Sequence, residues 1–476
     1  MISNNSIKKN FIYNFTYQLL ILVIPLITTP YLTRVLGVEG IGEYTYSYSI
    51  ATYFVLFAML GLSNYGNRTI AGVRDNKELL SKTFFEIYGM QLITSGVVLI
   101  AYSVYAVAFG NNMMAYIMLI YVLSAAFDIS WFFFGMEQFK ITVLRNAFIR
   151  VLSIILIFLL VKKNGDVYIY ALIMTMSSII SQWVIWPFVR KFVHFSKPKL
   201  KDILQHIKPN LILFIPVIAI SLYKTMDKIM LGGMANVSEV GFYECTERIV
   251  LIPVSLVQAL GTVMLPRMSN LAANNRQEDS KRYIYLSLIL VAFLSTSMSF
   301  GIMGISRDFV PWYYGNGFEK CYSLFLVLSP CTIFMAYANV IRTQHLIPMK
   351  EDKIYIKSVF LGAIVNVVLN AILIPSYQSI GASIGTLVAE GTVCIYQLLK
   401  VRKEIDIITP ILRTVPFIVC GGAMFFVISK LNINITSSIV IILLKILIGA
   451  IVYICLCACY YGVRRFVFNR PSILKP

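Results

Sequence analysis

Apolar and polar positions in this chain do not alternate over short stretches. They separate into long apolar runs joined by short polar links. A helix needs about 20 apolar residues to cross a bilayer, and fourteen runs approach or exceed that length. They lie near residues 11–35, 41–63, 83–108, 113–134, 142–161, 167–189, 209–231, 240–264, 284–305, 322–341, 354–374, 379–399, 411–429 and 437–462. The pattern predicts an all-α polytopic membrane protein with 14 transmembrane helices. Met1 to Asn10 is polar and carries Lys8 and Lys9. The run that follows contains Pro25 and Pro30, is too long for a signal-peptide core, and lacks a small-residue cleavage site. An uncleaved first helix is expected. Pro311-Trp-Tyr-Tyr-Gly-Asn-Gly317, between runs nine and ten, reads as an interfacial aromatic turn.

Composition agrees. The chain is 58% hydrophobic and 13% charged, against about 25% charged in soluble proteins. Its net charge of +19 does not point to nucleic acid, because the cations sit in short links and not in one basic domain. With the N-terminus inside, the cytoplasmic links and helix ends hold 30 of the 41 Lys and Arg, and the external links hold six. That bias puts both termini in the cytoplasm. The link at 190–208 spaces Leu200, Ile203, Leu204 and Ile207 on one face among lysines, as an amphipathic surface helix would. The basic link at 266–283 is expected to do the same. Eight cysteines are scattered through the apolar runs, and Cys455, Cys457 and Cys459 alternate in one helix. They read as small apolar fillers. His194, His206 and His345 fall in or near links, so no metal site and no cofactor is expected.

The chain carries an internal repeat. Val38-Glu-Gly-Ile-Gly-Glu-Tyr44 matches Val237-Ser-Glu-Val-Gly-Phe-Tyr243 at an offset of 199, which also pairs Ile50 with Ile249 and Arg68 with Arg267. The run after Asp166 matches the run after Gln378 at an offset near 211. Six helices per repeat is an even number. Both halves then enter the membrane in the same direction, related by a pseudo-two-fold axis along its normal. The expected organisation is a lobe at 1–190, an amphipathic linker at 191–208, a second lobe at 209–400, two further helices at 401–462 and a basic tail at 463–476.

Charges inside apolar runs cost about 2.5–3.5 kcal/mol each on insertion scales and mark functional sites by default. They concentrate between Tyr223 and Arg248. Lys224, Asp227 and Lys228 share one helix face, and Glu244 lies one turn from Arg248, with Glu247 beside it. Structural ion pairs at helix ends are the plain reading; a transport cavity is the functional one. Asp128, Arg150, Glu390 and Lys445 add charges in runs 4, 5, 12 and 14. Asp128 and Arg150 could pair within the first lobe. Glu390, without a partner near in sequence, suits proton coupling. Lys445 suits a lipid-facing groove or snorkelling.

Pro30-Tyr-Leu-Thr-Arg-Val-Leu-Gly37 followed by Gly40-Ile-Gly-Glu-Tyr44 resembles the first signature of the Wzx-type oligosaccharide flippases of O-antigen and capsule synthesis. These belong to the multidrug/oligosaccharidyl-lipid/polysaccharide exporter (MOP) superfamily. Asp227-Lys-Ile-Met-Leu-Gly232 with Val240-Gly-Phe-Tyr243 is similar to the second-half counterpart, and Ile374-Pro-Ser-Tyr377 with Ile380-Gly-Ala382 to a third stretch. The resemblance implies a MATE/MOP-like fold of two six-helix lobes around a cationic central cavity. It implies ion-driven transport (H+ or Na+) of an undecaprenyl-pyrophosphate-linked oligosaccharide between leaflets of the bacterial cytoplasmic membrane, with the pathway's polymerase and chain-length proteins as partners. Arg34, Lys228 and Arg248 match cationic family positions.

Chemistry points the same way. Arg and Lys pair with pyrophosphate through charge-assisted hydrogen bonds. Tyr44, Tyr46, Tyr48, Tyr223 and Tyr243 could stack on sugars, although tyrosines on helices more often pack. The expected substrate contacts are Arg34, Arg150, Lys224, Lys228, Arg248 and Lys445. The coupling candidates are Asp128, Asp227, Glu244, Glu247 and Glu390. A drug exporter of the same superfamily would prefer an acidic cavity. A membrane enzyme of polysaccharide assembly would need a large external loop or a nucleotide-sugar domain, and neither is present. No Walker loop or nucleophile constellation supports an ATP-driven pump or an enzyme.

Overall fold

The computed structural model describes residues 4–110, 112–433 and 435–468, with side chains described over 24–462 except at 111, 223 and 434. The tail expected at 463–476 and the Tyr223 side chain therefore fall outside the described side chains. Every regular element among the described residues is helical. Twelve of these elements are long and apolar enough to cross a membrane. The difference from fourteen lies in two 50-residue elements, Ile24–Val73 and Asp352–Val401, each of which contains two of the expected runs.

A straight helix of 50 residues would be about 75 Å long, more than twice the ~30 Å hydrocarbon core. Both elements are broken. The first breaks at Gly37 (φ 67°, ψ −178°), a conformation that glycine takes readily and other residues do not. The second breaks at Gln378 (φ 52°, ψ −129°). A Cβ at Gly381 would lie 2.6 Å from the Leu373 carbonyl oxygen, and one at Gly385 would lie 2.2 Å from Asn370 Oδ1. In a straight helix residues 370 and 385 would stand about 22 Å apart. The chain therefore reverses at Gln378. Gly381 and Gly385, four residues apart, let the two arms touch.

The repeat has a structural counterpart inside each half. After the Gly37 break, Tyr44 packs edge-on against Tyr170 at 4.7 Å. In the second half the helix Val237–Ala273 starts at an Asn236 cap, and Tyr243 shares a hydrogen bond with Thr386 at 2.8 Å. Gly40 lies against Asn164 and Val167; its counterpart Glu239 accepts from the Ser379 amide at 3.2 Å. In each half the second helix of the repeat meets the start of the sixth. Tyr44 and Tyr243 are buried in these contacts, which makes them packing residues and not sugar platforms.

By compactness the chain divides into Met1–Ile229 and Met230–Pro476. Most of the helix Ile207–Met234, which opens the second half of the repeat, packs with the first unit. Gly61 makes this contact: a Cβ there would lie 2.6 Å from the Asn210 carbonyl oxygen and 2.8 Å from the Phe214 nitrogen. Phe57 meets Phe214 edge-on, and Tyr53 donates to the Ser221 carbonyl. The first unit's core includes Phe84, Trp131, Phe132 and Ile185.

The links differ in detail from expectation. The linker holds one helical turn, Leu200–Leu204. Ile203 and Ile207 pack on the core while Leu200 and Leu204 stay exposed, so its apolar positions do not share a single surface. At 266–283 the helix Val237–Ala273 runs on almost to the next, which begins at Gln277, so no separate surface helix forms. Asp406 caps the helix Ile408–Lys430 by accepting from the Ile408 and Thr409 amides. The Thr409 hydroxyl and these amides hold its carboxyl below the ordinary range.

Cysteine labelling tests the count and the orientation together. Asn434, in the link between the last two apolar runs, lies outside the described residues; the neighbouring Asn432 is exposed. With Cys455 and Cys459, the exposed native cysteines, replaced by serine, cysteines at Asn432 and at exposed Tyr377 are expected to react with an impermeant thiol reagent from outside. One at Asn274 is expected to react only after permeabilisation. The opposite pattern at Asn274 and Asn432 would invert the topology. Protection at Tyr377 alone would remove the turn at Gln378 from the external face.

Candidate functional site

In the first unit, the helix Ile207–Met234 carries the expected charged face. Lys224 is exposed, Lys228 is half-buried, and Asp227 is 2% exposed. Arg34 is exposed and turns its Nη1 back to the Pro30 carbonyl at 2.8 Å. Arg150 lies half-buried on the helix Phe139–Leu160.

Asp128 does not lie in a helix interior as expected. It follows a short 3-10 turn with extended backbone (φ −77°, ψ 98°), and its Oδ1 accepts the Ser130 amide at 2.9 Å. The break frees backbone carbonyls, which would be costly inside a bilayer. Gln91 satisfies them, donating to the Ala125 and Asp128 carbonyls at 2.7 and 2.9 Å while accepting from the Trp131 indole at 3.0 Å. Asp128 forms no ion pair with Arg150 among the described residues. The more deeply buried cation is Arg145, 8% exposed. Its guanidinium donates to Asn146, to Gln182 at 3.2 Å and to Ser130 at 3.2 Å. Arg145 escaped the sequence reading because it sits at the edge of its run and counted as a cytoplasmic charge.

In the second unit, Glu244 and Arg248 are joined by a 2.6 Å contact from Nε to Oε1. The Glu244 side chain is 10% exposed and that of Arg248 33% exposed. Glu247 is half-buried beside them, and Glu390 is buried in the helix Asp352–Val401. Glu239, overlooked despite its place in the repeat motif, joins three segments. It meets Lys320 Nζ at 2.6 Å and accepts from the Ser379 amide and hydroxyl. Lys320 also donates to Gln378 at 2.8 Å, at the reversal itself.

Lys445 neither snorkels nor faces lipid. It is buried and meets Asp308 at 2.6 Å. The two are 137 residues apart, so no local pattern could pair them. Lys445→Ala is expected to destabilise the protein by about 3–5 kcal/mol, because it strands Asp308 in a partly buried site. Lys445→Leu combined with Asp308→Leu should unfold later than either single change in thermal melts in detergent. A double variant no more stable than the single ones would show that the pair does more than cancel charge.

Residues 7–272 match the family model described as polysaccharide biosynthesis protein, more than half of the chain. This chain belongs to that family. Relatives of the family member described here include the "Putative O-antigen transporter" of Escherichia coli (strain K12), 23% identical over 84% of this chain and 97% of its own length. A protein of the same description from Shigella dysenteriae is 24% identical over 83% of this chain and 100% of its own. Among solved structures, the lipid II flippase MurJ in its inward closed conformation is similar over 95% of this chain and 98% of its own, with a TM-score of 0.76 at 16% identity. An inward-facing multidrug resistance MATE transporter of the MOP superfamily is similar over 80% of this chain and 98% of its own, with a TM-score of 0.53 at 13% identity. The expected all-α, MOP-type fold and the resemblance to Wzx-type flippases are borne out. The named relatives are transporters, not enzymes.

Proposed function

We propose that this family member is a flippase for an undecaprenyl-pyrophosphate-linked oligosaccharide, moving it from the inner to the outer leaflet of the bacterial cytoplasmic membrane for O-antigen or capsule synthesis. One observation carries the proposal: relatives described as O-antigen transporters align with this chain over 97% and 100% of their own length. The chemistry of the charged residues suits such a cargo. Its pyrophosphate is an anion, and Arg34, Arg150, Lys224, Lys228 and Arg248 offer cationic donors within apolar spans. Lys445 is the weakest of the proposed contacts, since Asp308 already engages it. The sugars need a polar path, while the lipid tail can remain in hydrocarbon.

Transport is coupled to an ion gradient in this proposal, through one or more of Asp227, Glu244, Glu247 and Glu390. Asp128 is the weakest of the acids, because its carboxylate caps a chain break. Glu244→Gln, Glu247→Gln and Glu390→Gln are each to be assayed for gradient-dependent transport in vesicles, alongside the amount of protein in the membrane. At least one is expected to abolish transport at normal abundance. Unchanged transport in all three would remove these acids from coupling.

The function itself is tested by deletion in the native host. Loss of surface glycan, with lipid-linked repeat units accumulating on the cytoplasmic leaflet, is the expected result. Unchanged glycan with lost efflux of cationic dyes would assign the chain to drug export instead.

A further inference from the structure

At one end of the second unit, three side chains from three separate segments converge. His345 lies in the π-helical turn Arg342–Leu346. Glu351 immediately precedes the helix Asp352–Val401, and Glu404 lies just beyond its other end. The reversal at Gln378 brings those two ends back to the same side. His345 Nε2 is 3.0 Å from Glu404 Oε2 and 3.9 Å from Glu351 Oε2. One donor atom from each residue lies within 4.8 Å of the other two. The imidazole is 7% exposed, whereas the Glu404 side chain is 47% exposed, so the cluster opens to one side.

The charge balance here is unusual. The flanking sequence is basic, with Lys350, Lys353, Lys400, Arg402 and Lys403, in a chain of net charge +19. Yet among the described residues no lysine or arginine pairs with Glu351 or Glu404; their ion-pair partner is His345. Moreover, Glu351 Oε2, the oxygen nearer His345, is buried and accepts no hydrogen bond. A buried carboxylate oxygen without a donor is costly, and a cation seated between the three donors would satisfy it.

We propose that His345, Glu351 and Glu404 bind one divalent transition-metal ion, Zn2+ or Mn2+. One imidazole nitrogen and two carboxylates form a mixed set: imidazole suits zinc, and carboxylates suit manganese. Three protein donors leave further positions for water on the exposed Glu404 side, as in open zinc sites. The ion ties the π-helical turn to both ends of the folded-back helix. No local pattern could reveal it, because His345 and Glu404 are 59 residues apart.

The full-length protein, purified in detergent and stripped with a chelator, is titrated with Zn2+ in competition with a chromogenic chelator. One tight equivalent per chain is expected, together with a rise in the thermal unfolding midpoint. Glu404→Gln, at a half-exposed link position, and His345→Gln should each weaken that equivalent at least roughly tenfold. Glu137→Gln, which removes an Arg74 ion pair in the other unit, should leave it intact. If His345→Gln does not fold, Glu404→Gln decides. Two results overturn the proposal. One is a wild-type protein that takes up no stoichiometric equivalent, as a simple protonated His–Glu pair would predict. The other is binding undiminished by Glu404→Gln, as adventitious capture at the exposed Cys455 and Cys459 would give.

Discussion

Arg248→Ala is expected to abolish surface glycan while the protein reaches the membrane in normal amount, and Arg248→Lys to leave glycan strongly reduced. Arg248 lies eight residues beyond Val240, roughly 12 Å along the helix, too deep to snorkel easily. Its Nε meets Glu244 Oε1 at 2.6 Å. A third of the side chain nevertheless remains exposed, against a tenth of Glu244. If Arg248 only balances Glu244, a lysine serves nearly as well, because one ammonium neutralises one carboxylate. If it also meets a pyrophosphate, lysine fails, because it lacks the planar fork that binds phosphate in two places. Truncating one member of a buried, hydrogen-bonded charge pair costs about 2–5 kcal/mol, a factor of roughly 30 to several thousand. Much of that cost comes from the charge left behind, and Glu244→Gln removes it. The double variant Arg248→Ala with Glu244→Gln is therefore decisive. It is expected to stay without surface glycan; restored glycan would reduce Arg248 to a counter-charge.

Gly381→Ala is expected to deplete folded protein from the membrane far more than Gly385→Ala. A Cβ at Gly381 would meet the Leu373 carbonyl oxygen at 2.6 Å, its carbon at 2.7 Å and the Ile374 nitrogen at 3.0 Å. All three are backbone atoms of the facing arm and cannot step aside without opening the reversal. Overpacking of this kind costs about 1–3 kcal/mol and sometimes more. The Lys320 contact to Gln378 and the Ser379 contacts to Glu239 depend on the same turn. At Gly385 the nearest atom is closer, Asn370 Oδ1 at 2.2 Å, but it ends a side chain that can rotate. Size-exclusion profiles of the two variants in mild detergent provide the comparison, and the reverse order would show that side-chain packing, not the backbone turn, limits the hairpin.

The sequence by itself determined the class of molecule, its repeat and its family. Bilayer thickness imposes a length on apolar runs, and lipid forces backbone polar groups into helices; both constraints act locally and leave a one-dimensional record. Arg248 and Glu244 were legible for the same reason, since helical spacing places residues four apart on one face. Tertiary structure decided what spacing cannot record. It set the reversal between runs eleven and twelve at Gln378, a residue that carries no turn signature of its own. It moved Asp128 from a helix interior to a chain break held by Gln91 and drew Arg145 inward. It packed most of the helix Ile207–Met234 with the first unit through Gly61. It paired Lys445 with Asp308, and it assembled His345, Glu351 and Glu404 from three segments. Gln91 and Asp128, Gly61 and Asn210, Lys445 and Asp308, and His345 and Glu404 are distant along the chain, and only the folded path brings them together.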